Sequence, residues 1–567
     1  MSARRIWGSD RSSAPSNRLW IVSASALALS LSLVDAATAA TLASAARNGD
    51  LSEVRELLDA GSAVNEAEPD GSTAVLWATY QSDIEMLTAL IEAGADVNAA
   101  NSLGVSPLLQ AARTGDTAVI RILLDAGADR EQAVRDGETP LMSAARAGSA
   151  DAVRVLLERG SDPNATESFQ GQTALMWAAA EGHADVVSVL LEGGADPDAT
   201  AFLSELTQRS TRTDFPTGGF TAAMWAAREG YADVLKTLAD AGADLNLVNG
   251  DGASAMSIAI VNDRFDFAAS MLELGAVPDV SALYHAVLMR DATSDWLAKD
   301  GTRWRADYDN ELSALDLVRV LLEAGGDPNE FFEAQYHSTS MCCDTKERGT
   351  PFYRAAVAAD VDALELLIEY GADVEWTPEP SAEGDGANGA PPAMGRREPR
   401  SPLAAAMNGG KGVGMAGGPG DIREGEAPPF REIANRNPAD AMAVLLAAGA
   451  DPNRGTGNES TLLHDAARAR MIDVIEVLAE HGAELDALNG DGLTALDFAE
   501  GRRAEGAPAE ESGGPPPGAP MQADDDRPTM EQVAAKLREL MEAAGVAIVE
   551  HGVIPTDDES AAESAGV

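Results

Sequence analysis

The feature that most constrains this chain is a period. A Gly-Ala-Asp triplet or a close variant ends one Leu-rich segment after another, its glycine standing at 61, 94, 127, 160, 194, 242, 275, 325, 371, 449 and 482. The successive intervals are 33, 33, 33, 34, 48, 33, 50, 46, 78 and 33 residues. A unit this short cannot enclose a core of its own and must bury its apolar face against its neighbours. The period therefore predicts a solenoid in place of the three or four globular domains that 567 residues would otherwise suggest. Intervals longer than 33 mark insertions.

One unit shows why the pattern folds. In Thr173-Ala174-Leu175-Met176-Trp177-Ala178-Ala179-Ala180-Glu181-Gly182-His183 the threonine is a natural N-cap. Leu175, Ala178 and Ala179 make a narrow apolar face, and Gly182 ends the helix after two turns. A second helix follows in Asp185 to Leu191, with Val186, Val189 and Leu190 on one side, and Gly194 supplies the left-handed stop before Ala195-Asp196.

These units resemble the ankyrin repeat family, whose consensus runs Gly-x-Thr-Pro-Leu-His-x-Ala-Ala, then a Leu-rich helix, then Gly-Ala-Asp-Val-Asn. The carriers of the resemblance are Gly137-Glu138-Thr139-Pro140-Leu141-Met142-Ser143-Ala144-Ala145, Gly94-Ala95-Asp96-Val97-Asn98, Gly242-Ala243-Asp244-Leu245-Asn246, Gly449-Ala450-Asp451-Pro452-Asn453 and Ser460-Thr461-Leu462-Leu463-His464-Asp465-Ala466-Ala467. The resemblance implies an all-α solenoid of about twelve helix-turn-helix repeats with inserted loops, covering most of residues 41 to 545. It also implies hydrogen bonds from the motif histidine to adjacent loops, yet only His464 keeps that residue. Leu76, Leu109, Met142, Met176 and Met224 replace it elsewhere, so the remaining repeats are expected to lean more on apolar packing. Trp77, Trp177 and Trp225 share one place in the first helix, where packing between repeats is the expectation and an aromatic ligand ladder the alternative.

The organisation follows from the intervals. Residues 1–40 read as a signal peptide and 41–376 as repeats with insertions within Ala199 to Gly219, at Asp291 to Asn310 and at Phe331 to Arg348. Residues 377–400 form a Pro/Gly/acid-rich insertion, and 401–500 hold further repeats around a second such insertion at 409–438. Both are expected to be disordered. Residues 501–528 are a similar linker that interrupts the last repeat. Its second helix lies in 529–550, opened by a Thr529/Gln532 capping box, and 551–567 are read as a disordered tail.

Composition bounds the surroundings. Lys+Arg number 41 against 92 Asp+Glu, a net charge of −51, which disfavours nucleic acid and anionic membrane surfaces. Only five of the basic residues are lysine. At the N-terminus Arg4, Arg5, Arg11 and Arg18 precede the apolar run Leu19 to Val34, and Ala37-Thr38-Ala39 fits a cleavage site. Export by the general secretory route, cleavage near Ala39 or Ala40 and a periplasmic or secreted product are expected. The alternative is an uncleaved anchor, although the run is short of a span. No cysteine near that site would carry a lipid. After cleavage the charge is 37 − 90 = −53, and no stable membrane insertion is expected.

Candidate chemistry is sparse. Gly412, Gly414 and Gly417 spell G-x-G-x-x-G, but inside a glycine-rich insertion that follows a helix, the wrong context for a nucleotide. The only cysteines, Cys342 and Cys343, are adjacent. They are open to a vicinal disulfide, a bond to a partner, or two free thiols. His337 alone lies near them, so no metal and no cofactor is assigned. A row remains: at the end of the first helix stand Arg47, Tyr80, Arg113, Arg146, Ala180, Arg228 and Arg468. In the ankyrin family partners usually contact this place on the concave face, so the resemblance makes the row a candidate partner-binding site, able to read anionic groups unless neighbouring acids pair with it. The expected function is a non-catalytic, monomeric protein-protein interaction scaffold of the bacterial envelope with an unknown protein partner. Alternatives are an accessory subunit or unrecognised enzyme with a site on the insertions between 291 and 348, and a structural spacer. Six histidines, at 183, 285, 337, 464, 481 and 551, are too scattered to assemble a catalytic set from sequence.

Overall fold

The computed structural model describes residues 41–204, 217–250, 252–291, 310–335, 346–377, 401–407, 437–457, 459–502 and 528–552. The expected signal peptide, Cys342, Cys343, His337, the 412–417 glycines and residues 378–400, 409–436, 503–527 and 553–567 lie outside them.

Within the described residues the helices fall into twelve pairs. The first four pairs are α1 (Leu42–Arg47) and α2 (Leu51–Asp59), α3 (Ala74–Tyr80) and α4 (Ile84–Glu92), α5 (Pro107–Thr114) and α6 (Thr117–Asp125), and α7 (Pro140–Arg146) and α8 (Ala150–Glu158). Then come α9 (Ala174–Ala180) and α10 (Ala184–Glu192), α11 (Ala222–Glu229) and α12 (Ala232–Asp240), α13 (Ala255–Val261) and α14 (Phe265–Glu273), and α15 (Val280–Asp291) and α16 (Ala314–Glu323). The last four are α17 (Pro351–Ala358) and α18 (Val361–Glu369), α19 (Pro402–Met407) and α20 (Pro438–Ala447), α21 (Leu462–Ala469) and α22 (Ile472–Glu480), and α23 (Ala495–Ala499) and α24 (Met530–Ala544). Odd-numbered helices pack side by side from α1 to α19, and α21 packs on α23; even-numbered ones form the second layer. One apolar cluster runs between the layers from Leu42 to Met541.

Local chemistry sets the ends. Thr73, Ser106, Thr139, Thr173 and Thr221 each accept a hydrogen bond from the backbone three residues on, so a hydroxyl starts each of these five first helices. Gly182 and Gly194 take φ of +80° and +92°, and at Gly182 a Cβ would lie 2.8 Å from the Tyr231 ring. Thr529 and Gln532 form a reciprocal capping box that opens α24.

Two of the insertions and one ordinary loop between repeats carry short antiparallel clips that an all-helical reading does not contain. β1 (Leu203–Ser204) pairs with β2 (Thr217–Gly218), β3 (Phe332–Gln335) with β4 (Lys346–Gly349), and β5 (Gly455–Gly457) with β6 (Ser460–Thr461). Each clip brings the two ends of its loop together, so the chain leaves and re-enters the stack at neighbouring points. The β3–β4 clip also seats Phe332 against α15, stacked on Tyr284 at 4.6 Å and edge-on to the buried His285 at 5.2 Å.

Beside the apolar packing expected where the motif histidine is lost, hydrogen bonds also tie the repeats. Polar side chains join the repeats. Asn65 accepts from the Asp96 amide at 2.7 Å, Asn98 from Asp129 at 2.7 Å, Asn164 from Asp196 at 2.8 Å, Asn329 from Asp373 at 2.6 Å and Asn453 from Glu484 at 2.7 Å. The Asn164 amide also donates to the Gly194 carbonyl at 3.1 Å. On the opposite side of each unit, Gln81, Ser149, His183 and Arg264 reach back to carbonyls at the end of the preceding first helix. A buried ion pair joins α15 to the start of α18: Arg290 meets Asp360 at 2.5 and 2.8 Å, with side chains 2 % and 1 % exposed.

Where the histidine is kept, it does what the resemblance implies. His464 Nε2 donates to the Leu493 carbonyl at 3.0 Å while Nδ1 accepts from the Thr461 amide at 3.2 Å. The bond accepted by Nδ1 needs a neutral ring, and burial pushes its pKa below the ordinary 6.5, against smaller upward pulls from the Leu493 bond and Asp465. At the far end His551, read above as the start of a tail, instead folds back: its amide and Nδ1 each lie 3.0 Å from the buried Asp497 carboxylate.

Two measurements test these ties. Asn164→Ala removes two inter-repeat bonds at an exposed site and is expected to lower unfolding stability by about 1–2 kcal/mol, read from urea denaturation. An unchanged midpoint would make the loop bonds energetically idle. For His464 the folded pKa lies below the unfolded one, so its contribution is complete above pH 6.5 and is lost as pH falls from there through the folded pKa. A ring titration by NMR should show a midpoint below 6.5; one above it contradicts the assigned tautomer.

Candidate partner-binding face

The row residues lie where helical geometry sends them. Counted from the capping hydroxyl, residues four and seven places on are three apart and share a face of the first helix. The fourth place holds Trp77, Trp177, Trp225 and Phe498; the seventh holds Tyr80, Arg113, Arg146, Ala180, Arg228 and Arg468, and Arg47 takes the equivalent place in α1. Sequence reading treats the two places separately, the tryptophans as packing and the arginines as recognition. The structure brings them together.

Arg47 lies 5.9 Å over the ring of Trp77, Arg146 5.3 Å over Trp177, and Arg468 5.2 Å over Phe498. In each case the arginine comes from one repeat and the ring from the next, about 30 residues on. Arg228 instead lies 4.8 Å over Trp225 of its own helix, whose ring also meets Phe220 at 5.2 Å. Tyr80, 61 % exposed, stands edge-on to Trp77 at 5.9 Å. The rings are half-buried and pack against the core cluster, so packing and display are two sides of the same indole. Each such cation-ring contact is worth about 0.5–1 kcal/mol at an exposed site.

Carboxylates complete the row. Arg47 meets Glu68 at 2.7 Å, and Glu68 also accepts from the Trp77 indole at 3.0 Å. Arg113 grips Glu138 with two bonds, at 2.7 and 3.3 Å, while the Ser143 hydroxyl donates to the same carboxylate at 2.7 Å. Arg228 meets Glu229, and Arg468 meets Asp465, both at 3.0 Å. Four of the five arginines are therefore paired, and the row is not the uncompensated positive strip that the residue types suggested. For Glu138, burial works to raise the pKa, but the bonds from Arg113 and Ser143 and the charges of Arg113 and Arg146 outweigh it and hold the carboxyl below its ordinary value.

Among the described residues no group of three or more His, Cys, Asp or Glu is placed to hold a metal ion, and no helix is long and apolar enough to cross a membrane.

Comparison with known proteins places this architecture. A three-copy ankyrin repeat model matches residues 42–133 and 108–201, a many-copy ankyrin model matches 445–499, and a single-repeat ankyrin model matches 218–250. No curated protein matches the chain. Among solved structures the crystal structure of the human ASB11 ankyrin repeat domain is similar to it, at 25 % identity over 42 % of this chain and 99 % of that one, with a TM-score of 0.36.

The Glu138 site yields a titration test. A depressed carboxyl contributes stability above its unfolded pKa and loses it as pH falls through the folded value. Arg113→Ala should move the Glu138 midpoint upward in a carboxyl-carbon NMR titration, since Arg113 supplies two of its three side-chain bonds. A midpoint that stays put would remove Arg113 as a cause.

Proposed function

This chain is an ankyrin repeat protein, and from that premise we propose that it is an exported, non-catalytic scaffold of the bacterial envelope that binds a protein through the concave face of its stacked first helices. Ankyrin repeats mediate protein-protein interaction, and a stack of rigid units offers a surface whose side chains are already ordered before the partner arrives. The observation that carries the reading is the cross-repeat Arg-aromatic row, in which Arg47, Arg146 and Arg468 are each held over a ring of the following repeat. Arginine and tryptophan are the side chains that contribute most to protein interfaces when anchored. The leader, with its four arginines, apolar run and small-residue site, supports a periplasmic or secreted destination.

Site-specific photo-crosslinking tests the face. A photoreactive residue at Tyr80 or Ala180 of the full chain, expressed with its leader, is expected to trap a stoichiometric partner in the periplasmic fraction. The same group at Arg154, on α8 in the second layer, should not. Equal trapping from both layers, or none from the first, overturns the concave-face reading.

A further inference from the structure

One place in the row is unlike the rest. Arg146 is exposed and lies 5.3 Å over Trp177, but among the described residues its guanidinium has no carboxylate partner and no hydrogen bond. Glu138 is near enough to feel its charge, yet the oxygens of Glu138 are taken by Arg113 and Ser143. Glu181, the exposed acid that ends α9, forms no ion pair among the described residues. The next place in the row is Ala180, so the row itself carries no long side chain between Arg146 and Arg228, and the Trp177 indole N–H donates to Gln172 at 2.9 Å. Arg228 itself is committed to Trp225 and Glu229.

We propose that Arg146 takes a carboxylate side chain from an extended segment of the partner protein, with an adjacent apolar side chain of that segment lying over Ala180 and the Trp177 ring. This rests on the reading of the first-helix face as the binding surface. Charge complementarity selects the occupant. A guanidinium held over an indole presents its donor fork with little further ordering, which suits a carboxylate. The neighbouring arginines Arg113 and Arg228 are already taken by Glu138 and Glu229 and offer no free cation to a second acid. The segment therefore carries a single acidic residue at this point, flanked by apolar ones, and an acidic run is excluded.

Random peptides displayed on phage and selected against the full-length chain provide the test. Expected are enriched sequences with one Asp or Glu beside an apolar residue, and about ten- to hundredfold weaker binding of the synthetic peptide to Arg146→Gln. Arg154→Gln, on α8 in the second layer, should bind as the parent does. Circular dichroism checks that the variants keep the helical content. Changing the peptide's acid to its amide should weaken binding to the unaltered protein by the same factor, independently of any effect on folding. Arg146→Glu should recover binding to a peptide carrying Arg in place of the acid. Peptides that bind without an acid, or that ignore Arg146→Gln, overturn this inference and leave the protein-binding face standing. Failure to enrich any peptide overturns both.

Discussion

Everything in this molecule depends on the contact between one repeat and the next. A pair of helices of about eight residues each is below the length at which isolated helices persist in water, and its core consists of alanines and single leucines that have no second side to bury against except a neighbour's. Hydrophobic burial supplies the attraction but little register, since Ala and Leu faces can slide. The polar ties supply the register. Each loop asparagine fixes a backbone amide of the following loop, and where insertions separate consecutive repeats the same bond is kept: Asp198 accepts from the Asp244 amide across 46 residues, and Glu375 from the Asp451 amide across 76. The geometry of the joint is conserved while the length of chain between its halves is not.

Much of this was legible. The 33-residue spacing, the hydroxyl caps and the left-handed glycines are local signals that survive in any single unit, and they sufficed for the twelve pairs, including a last pair split by a long linker between Ala499 and Met530. What sequence could not give is the partner of each side chain across repeats. His183 and Arg264 occupy the same place in their units as Ser149, and nothing in their types says that all three cap a carbonyl of the preceding helix. Three unrelated side chains solve one geometric problem because the acceptor is fixed by the backbone and only reach and a donor are required. The tie between His551 and Asp497 was hidden for the opposite reason, since it joins the end of the array to a helix 54 residues earlier and obeys no period.

The arginine row was half legible. Its residues were visible in register and pairing with neighbouring acids was one of the two expectations, but which arginines pair was not visible. On a chain of net charge −51 an exposed guanidinium is rarely far from a carboxylate, and four of the five find one. The aromatic beneath Arg47, Arg146 and Arg468 was within reach of sequence reasoning had the two places been compared across repeats, because arginine and ring there recur about 30 residues apart, which is one period less the three places between them on the helix.

The insertions decide how much of the row can work as one surface. They enter at two kinds of site. Those clipped by β1–β2 and β3–β4 leave from the loops between repeats, away from the ends of the first helices. Those after α15, α19 and α23 leave at the turn between the two helices of a unit, directly beyond the seventh place where the row stands. By sequence count the corresponding residues of these three units are Leu288, Asn408 and Gly501 rather than arginine. Units α1–α2 through α13–α14 carry no insertion at that turn, so the face from Arg47 to Arg228 is continuous, whereas Arg468 stands alone between two units whose turns are extended. Beyond the first six units the same place holds Val261 or Val357 or precedes an insertion, and arginine returns only at Arg468, so the edge of the stack presents a different set of side chains there.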